Sequence, residues 1–83
     1  MEYNIKVKKI VAYLKSKKWT IEDYGDFGYK ILLTLDNEEF DIIIPRKETI
    51  PDYKFRIEQL INSLSTIENR NAKEITDDIE NIG

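Results

Sequence analysis

Two runs of alternating apolar residues between positions 29 and 45 constrain the fold of this 83-residue sequence more than any other feature. Apolar side chains occupy every second position of both runs: Tyr29, Ile31, Leu33 and Leu35 in the first, and Phe40, Ile42 and Ile44 in the second. A period of two predicts two half-buried β-strands. The connection at residues 37–39 is polar and short enough for a hairpin, so all seven apolar residues should share one face of a sheet.

Helical spacing on both sides of the hairpin predicts the elements that cover this face. Apolar residues three or four apart predict a first helix over residues 4–17, a second over residues 51–67 and a third over residues 72–82. Asn71, which is followed three residues later by Glu74, resembles a capping box at the start of the third helix.

A shorter strand and a turn precede the hairpin. Trp19 and Ile21 alternate with polar residues and predict a first strand, and Gly25 and Gly28 permit positive φ in the turn that follows. The predicted order is α-β-β-β-α-α. The fold class is therefore α+β: one domain over residues 1–83, with a three-stranded antiparallel sheet, helices packed on one face and the short C-terminal helix appended.

The opposite face of the sheet is the predicted partner-binding surface. Leu32 and Ile43 point away from the predicted core. Two such aliphatics can lie in water without consequence, or as neighbours they can seed a dimer or a partner site. Three aromatics add candidate anchors, because aromatics are enriched at interface hot spots: Tyr24, Phe27 and Phe55. Phe27 can alternatively fold back over the core.

Composition excludes most catalytic chemistries. The sequence contains no cysteine and no histidine, so it lacks disulfides, thiolate ligands and the commonest general base. No serine has a recognisable base partner in the sequence; the serines are Ser16, Ser63 and Ser65. The carboxylate-rich segments at residues 38–41 and 77–80 are typical of solvated surfaces, and a metal-dependent enzyme that uses Asp77 and Asp78 is the remaining catalytic alternative. We predict no enzymatic activity, no cofactor and no metal site.

The charges are distributed unevenly along the chain. The net charge of −3 argues against generic nucleic-acid binding. Nevertheless, the first 18 residues contain six lysines and a single acid, whereas the last ten contain four acids and no base. RNA or DNA binding by the lysine-rich first helix is therefore the alternative function, through Lys6, Lys8, Lys9, Lys15, Lys17 and Lys18. The sequence has no signal-peptide pattern and no apolar run of membrane length, so a cytoplasmic protein is expected.

The order of elements resembles that of double-stranded-RNA-binding domains and of HicA-type toxins from bacterial toxin–antitoxin pairs. The likeness to the toxins covers residues 7–64 and includes a hairpin that closes on Ile43-Ile44-Pro45. Those toxins carry a catalytic histidine after the glycine and serine of their second strand, where this chain reads Phe27-Gly28-Tyr29. The resemblance therefore implies the fold without the nuclease activity. The RNA-binding domains use a lysine-rich start to their second helix, whereas residues 51–56 are mixed in charge.

A second resemblance covers the segment from Ile42 to Ile79. It looks like a module in uncharacterised bacterial proteins that often precedes other domains, which implies an adaptor role. The heavy use of Ile, Lys, Glu, Asn and Tyr is typical of AT-rich bacterial and phage genomes. We therefore predict a non-catalytic protein-interaction module, a small bacterial or phage adaptor in a defence or toxin–antitoxin context. Its expected partner is another protein or a second copy in a homodimer, without membrane contact.

Overall fold

Six elements follow one another in residues 5–82, the part of the chain that this computed structural model describes. They are α1 (Val7–Ser16), β1 (Thr20–Tyr24), β2 (Gly28–Leu35), β3 (Glu38–Pro45), α2 (Tyr53–Glu68) and α3 (Ala72–Asn81). The strands form one antiparallel sheet in the order β1-β2-β3. The predicted α-β-β-β-α-α order and the α+β class are confirmed. Within this part of the chain, no helix is both long and apolar enough to cross a membrane.

The β2–β3 hairpin closes through a two-residue turn at Asp36 and Asn37. Both residues have positive φ, 51° and 67°, as in a type I′ turn, whose twist matches that of paired strands. The turn lies earlier than the predicted connection, since Glu38 and Glu39 already belong to β3. Asp and Asn tolerate the left-handed conformation better than glutamate does, which explains the difference.

The strand register confirms that the alternating apolar residues share one face. Ile31 lies opposite Ile42 in β3 and opposite Ile21 in β1, and Leu33 lies opposite Phe40. The helices pack on this face, because side chains from β2 and β3 belong to the same buried cluster as those of α1 and α2.

The core fills the space between the sheet and the helices. Its fully buried side chains come from every helix and from the two central runs: Ile10, Leu14, Ile31, Ile44, Ile57, Leu60, Ile61, Leu64, Ile75 and Ile79. Full burial of one such side chain stabilises the fold by roughly 1.5–3 kcal/mol. α3 packs against α1 and α2, so the C-terminal helix extends the helical layer and does not cross to the other face of the sheet.

The loop after β3 completes the start of α1. This helix begins at Val7, and the predicted start at residue 4 lies outside the described residues. The first turn of α1 contains no acid. Instead, the Glu48 carboxylate accepts a hydrogen bond from the Val7 N–H at 3.1 Å and places negative charge at the positive end of the helix. The Tyr53 hydroxyl donates to the Ile5 carbonyl oxygen beside it.

A left-handed residue and a side-chain cap separate α2 from α3. Asn69 has a φ of 54° and ends α2. The Asn71 Oδ1 atom accepts a hydrogen bond from the Glu74 N–H at 2.9 Å, so the predicted cap is confirmed. The Glu74 carboxylate lies 3.7 Å from the Arg70 guanidinium and does not make the reciprocal bond of a full capping box.

Candidate interaction surface

The side of the sheet opposite the helices is an open face. We define the open face by the exposed and half-buried side chains that the register places there: Thr20, Glu22, Tyr24, Lys30, Leu32, Thr34, Glu39, Asp41 and Ile43. None of these side chains belongs to the core or to the partly buried shell around it. Pro45, at the end of β3 on the same side, is buried. In the part of the chain that the structure describes, the helices therefore cover one side of the sheet, and the other side is open except at Pro45.

Leu32 and Ile43 lie side by side on the open face, as predicted. Leu32 is paired with Asp41, and Ile43 is paired with Lys30, so the two aliphatics are diagonal neighbours on adjacent strands. Both are half-buried although no core residue packs on them. The arrangement is a small apolar centre between one acid and one base.

The three candidate aromatics do not form one cluster. Tyr24 is 49% exposed and lies at the end of β1, on the open face. Phe27 precedes β2 and is 40% exposed; it is not among the side chains that pack against the core, and the Arg56 guanidinium lies 4.9 Å from its ring centroid. Phe55 is 60% exposed on the outer side of α2. Of the three aromatics, only Tyr24 lies on the same face of the sheet as Leu32 and Ile43.

Arg46 holds the β1–β2 turn, a role that the sequence analysis missed. Its Nη2 atom donates to the Asp23 carboxylate at 2.6 Å and to the Gly25 carbonyl oxygen at 2.9 Å. Its guanidinium also lies 4.6 Å from the centroid of the Tyr29 ring, which is a favourable cation–π distance. One feature of the sequence could have indicated this role: Arg46 directly follows Pro45, which ends the predicted strand.

The six lysines of the alternative hypothesis are divided among different roles. The Lys6 ammonium lies 3.5 Å from the Glu48 carboxylate, and the Lys9 ammonium donates to the Glu80 carbonyl oxygen at 2.9 Å. Lys17 lies over the Tyr13 ring, at 5.5 Å from its centroid. Of Lys15, Lys17 and Lys18, only Lys15 lies in the last turn of α1. The residues after it leave the helix: Lys17 is the C-cap, and Lys18 has a φ of 70°.

Two of these lysines border the apolar part of the sheet. Lys17 and Lys18 line a shallow, open depression at the hairpin end of the sheet, together with Leu32, Thr34, Phe40 and the acid Glu39. A partner that binds there would therefore meet aliphatic surface beside charges of both signs.

Three of the polar residues considered for catalysis make contacts within the chain: Ser16, Ser65 and Asp77. The Ser16 hydroxyl donates to the Tyr13 carbonyl oxygen at 2.6 Å, and the Ser65 hydroxyl donates to the Arg70 carbonyl oxygen. Asp77 pairs with Lys73 at 3.0 Å. No group of carboxylates in residues 5–82 is arranged to hold a metal ion.

A network of hydrogen bonds joins the three helices away from the sheet. The Tyr13 hydroxyl donates to the Glu68 carboxylate at 2.9 Å. The Arg70 guanidinium donates to Glu68 at 3.1 Å and to Asp78 at 2.5 Å. Burial raises the pKa of Tyr13 above its ordinary value, and the Glu68 carboxylate adds to the effect. Every member has a partner in the chain itself, so this network is structural.

The comparisons with known proteins add no family. No family model, curated protein or solved structure matches this chain. The resemblances to HicA-type toxins, to double-stranded-RNA-binding domains and to the bacterial module therefore stay predictions from the sequence.

Proposed function

We propose that this chain is a non-catalytic protein-interaction module that binds a partner protein on the open face of its sheet. The observation that carries the proposal is the pair Leu32 and Ile43, adjacent on a face that no described helix covers. Apolar patches that a soluble domain leaves uncovered are frequent sites of protein association.

The chemistry of the open face suits a small, specific interface. Leu32 and Ile43 are already half-buried. Covering them with a partner therefore adds only a fraction of the roughly 1.5–3 kcal/mol that full burial of each side chain provides. Tyr24 offers a flat ring with a polar hydroxyl, a combination enriched in binding hot spots. Lys30 and Asp41 flank the aliphatic pair and favour partners with complementary charge. A bacterial or phage adaptor in the cytoplasm is the setting that this proposal implies.

Nucleic-acid binding has less support than protein binding. Lys6 and Lys9 already contact oxygen atoms of the chain, and the net charge is −3. The lysines at the end of α1 border apolar side chains of the sheet, a combination that favours a protein partner over phosphate alone.

Substitution on the two faces of strand β2 provides the test. The full chain, and its Leu32→Lys and Leu35→Lys variants, would each be immobilised to capture proteins from a bacterial lysate, with circular dichroism to check folding. Leu35 is a matched control, because it lies on the same strand but on the helix-covered side and is 42% exposed. We expect a captured protein that Leu32→Lys loses and Leu35→Lys retains.

Light scattering over a range of concentrations separates a partner protein from a second copy. We expect a monomer in the absence of the partner. A dimer that the Leu32→Lys substitution dissociates would show that the open face binds a second copy of this chain and not a partner protein. A strict monomer whose captured proteins are identical for all three baits would contradict the proposal.

A further inference from the structure

β3 is a free edge of the sheet with a helix beside it. The strand order leaves its outer side unpaired. Helix α2 runs along this side, and the groove between the two elements is lined by Asp41, Ile42 and Ile43 from the strand and by Arg56, Gln59 and Ser63 from the helix. A groove between an edge strand and a helix is a geometry in which proteins bind extended peptides as an added strand.

The backbone of β3 directs three residues toward the unpaired side of the strand. The Arg46 N–H donates to the Phe27 carbonyl oxygen at 2.8 Å, one step beyond the Gly28–Pro45 pair. Hydrogen-bonded pairs alternate along an antiparallel ladder, so the even-numbered residues of β3 bond to β2. The backbone N–H and C=O groups of Glu39, Asp41 and Ile43 therefore point outward.

These outward groups have no hydrogen-bond partner elsewhere in the described chain. Beyond the strand ladder, no backbone or side-chain atom of residues 5–82 donates to or accepts from the backbone of Glu39, Asp41 or Ile43. Unpaired edges of this length are templates for a further strand.

The charge along this edge is negative. Glu38, Glu39 and Asp41 are exposed, and no lysine or arginine of the described residues forms a salt bridge with any of them. Arg56, the one base lining the groove, is paired with Asp52 at 3.0 Å. Two copies of β3 pairing with each other would bring these acids together, and like charges on paired strands destabilise a sheet.

We propose that the free edge of β3 binds an extended, basic segment of a partner protein as a fourth strand. Alternate residues of the segment carry lysine or arginine beside Glu39 and Asp41 on the open face. The residues between them are small or apolar and lie against Ile42 and the flank of α2. The inference rests on the proposed protein-binding function and adds the edge, the conformation and the charge of the partner.

A peptide of alternating lysine and valine is the probe, with eight residues to match the length of β3. Fluorescence anisotropy would compare it with two controls: a peptide with glutamate in place of lysine, and a lysine peptide with alternate backbone nitrogens methylated. We expect binding by the unmodified lysine peptide only. Equal binding of the glutamate peptide would overturn the charge argument, and unchanged binding after methylation would overturn strand addition.

Amide hydrogen exchange measured by NMR locates the peptide. In the free protein, the N–H groups of Glu39, Asp41 and Ile43 should exchange fast and those of Phe40 and Ile42 slowly. Saturating peptide should slow exchange at the first three and leave the other two unchanged. Binding of the lysine peptide without protection at these three amides would overturn the proposal.

Matched charge reversals complete the test. The Glu39→Lys and Asp41→Lys double variant should weaken peptide binding about tenfold or more, in line with the effect of like charges across an interface. The Glu58→Lys and Glu80→Lys double variant is the control, because it changes the net charge by the same amount at two exposed residues that do not line the groove. A dimer formed through β3, seen by light scattering, would also overturn the proposal.

The two proposals fail independently. If a natural partner is captured through Leu32 while the probe leaves the β3 amides unprotected, the open-face function stands and the added strand is wrong. If the probe protects the β3 amides while Leu32→Lys loses no captured protein, the edge is the binding site and the open face is not.

Discussion

Gly28 faces Pro45 across the β2–β3 ladder at a separation that leaves no room for a side chain. A Cβ atom at residue 28 would lie 1.9 Å from the Ile44 carbonyl oxygen and 2.8 Å from the Pro45 Cα. Gly28 does not have positive φ, in contrast to Gly25 with a φ of 70°. The two glycines of the turn therefore serve different purposes: Gly25 permits the backbone turn, and Gly28 permits close strand packing.

Gly28→Ala should destabilise the protein strongly. The atoms that a Cβ would meet belong to the backbone and cannot move aside as a flexible side chain can. Overpacking typically costs about 1–3 kcal/mol. We expect Gly28→Ala to lower the free energy of unfolding, measured with urea, by an amount near the upper end of that range. Gly25→Ala is the control, because the space around Gly25 is open; its positive φ should cost about 1–2 kcal/mol. Equal stability of Gly28→Ala and the wild type would contradict the close approach.

The period of the apolar residues was sufficient to predict the sheet and its two faces. Ile31 and Ile42 come together because side chains alternate along a strand, and that alternation is visible in the sequence. The position of the hairpin turn depended on a finer property. The sequence placed Asn37 in the connection. That Asp36 is the other turn residue, and that both have positive φ, follows from the strand register.

Long-range polar contacts could not be predicted from the sequence. Glu48 caps a helix that lies 41 positions earlier in the chain, and Arg46 reaches back to Asp23 over 23 positions. Local spacing does not report such pairs, since they depend on how the elements pack. The same limit applies to the candidate site: the sequence predicted that Leu32 and Ile43 share a face, but the groove between β3 and α2 required the position of the helix.

Tyr13→Phe should lower stability by removing the bond between α1 and α2. The Tyr13 hydroxyl donates to the Glu68 carboxylate from a buried position, and hydrogen bonds to charged groups contribute about 1.5–3 kcal/mol. Tyr24→Phe is a matched control, because the Tyr24 ring is half exposed and outside the core. Urea unfolding at neutral pH measures both variants. Equal midpoints for the two would contradict the role of the network.

Alkaline pH should unfold the protein through its buried tyrosines. Burial, reinforced by the charge of Glu48, raises the pKa of Tyr53 to about 12 from an ordinary value of 10.0. Below about pH 10 the phenol is protonated in both states and the stabilisation is complete. Between about pH 10 and 12 the unfolded chain loses this proton while the folded chain keeps it, so stability falls as the pH rises.

The Tyr53→Phe variant separates the contribution of this phenol from that of the rest of the protein. Its urea midpoint should fall less between about pH 8 and 11 than that of the wild type. A Tyr53→Phe variant whose stability declines as steeply as that of the wild type would show that the phenol at residue 53 is not responsible.

The lysines of α1 should not produce nucleic-acid binding at physiological ionic strength. Fluorescence anisotropy with short duplex RNA and DNA would compare the wild type with a triple variant, Lys15→Gln, Lys17→Gln and Lys18→Gln. A second triple variant, Lys47→Gln, Lys54→Gln and Lys73→Gln, removes the same charge elsewhere on the chain. We expect no binding by any of the three proteins, because the lysines are dispersed and the net charge is −3.

Salt dependence decides the outcome if binding is observed. Each phosphate contact on duplex DNA lowers the logarithm of the binding constant by about 0.9 per tenfold increase in salt. Affinity that falls steeply with salt, is lost in the α1 variant and persists in the second variant would make nucleic acid the ligand of this domain. A similar loss in both triple variants would instead indicate non-specific attraction, because removing three positive charges weakens phosphate binding wherever they lie.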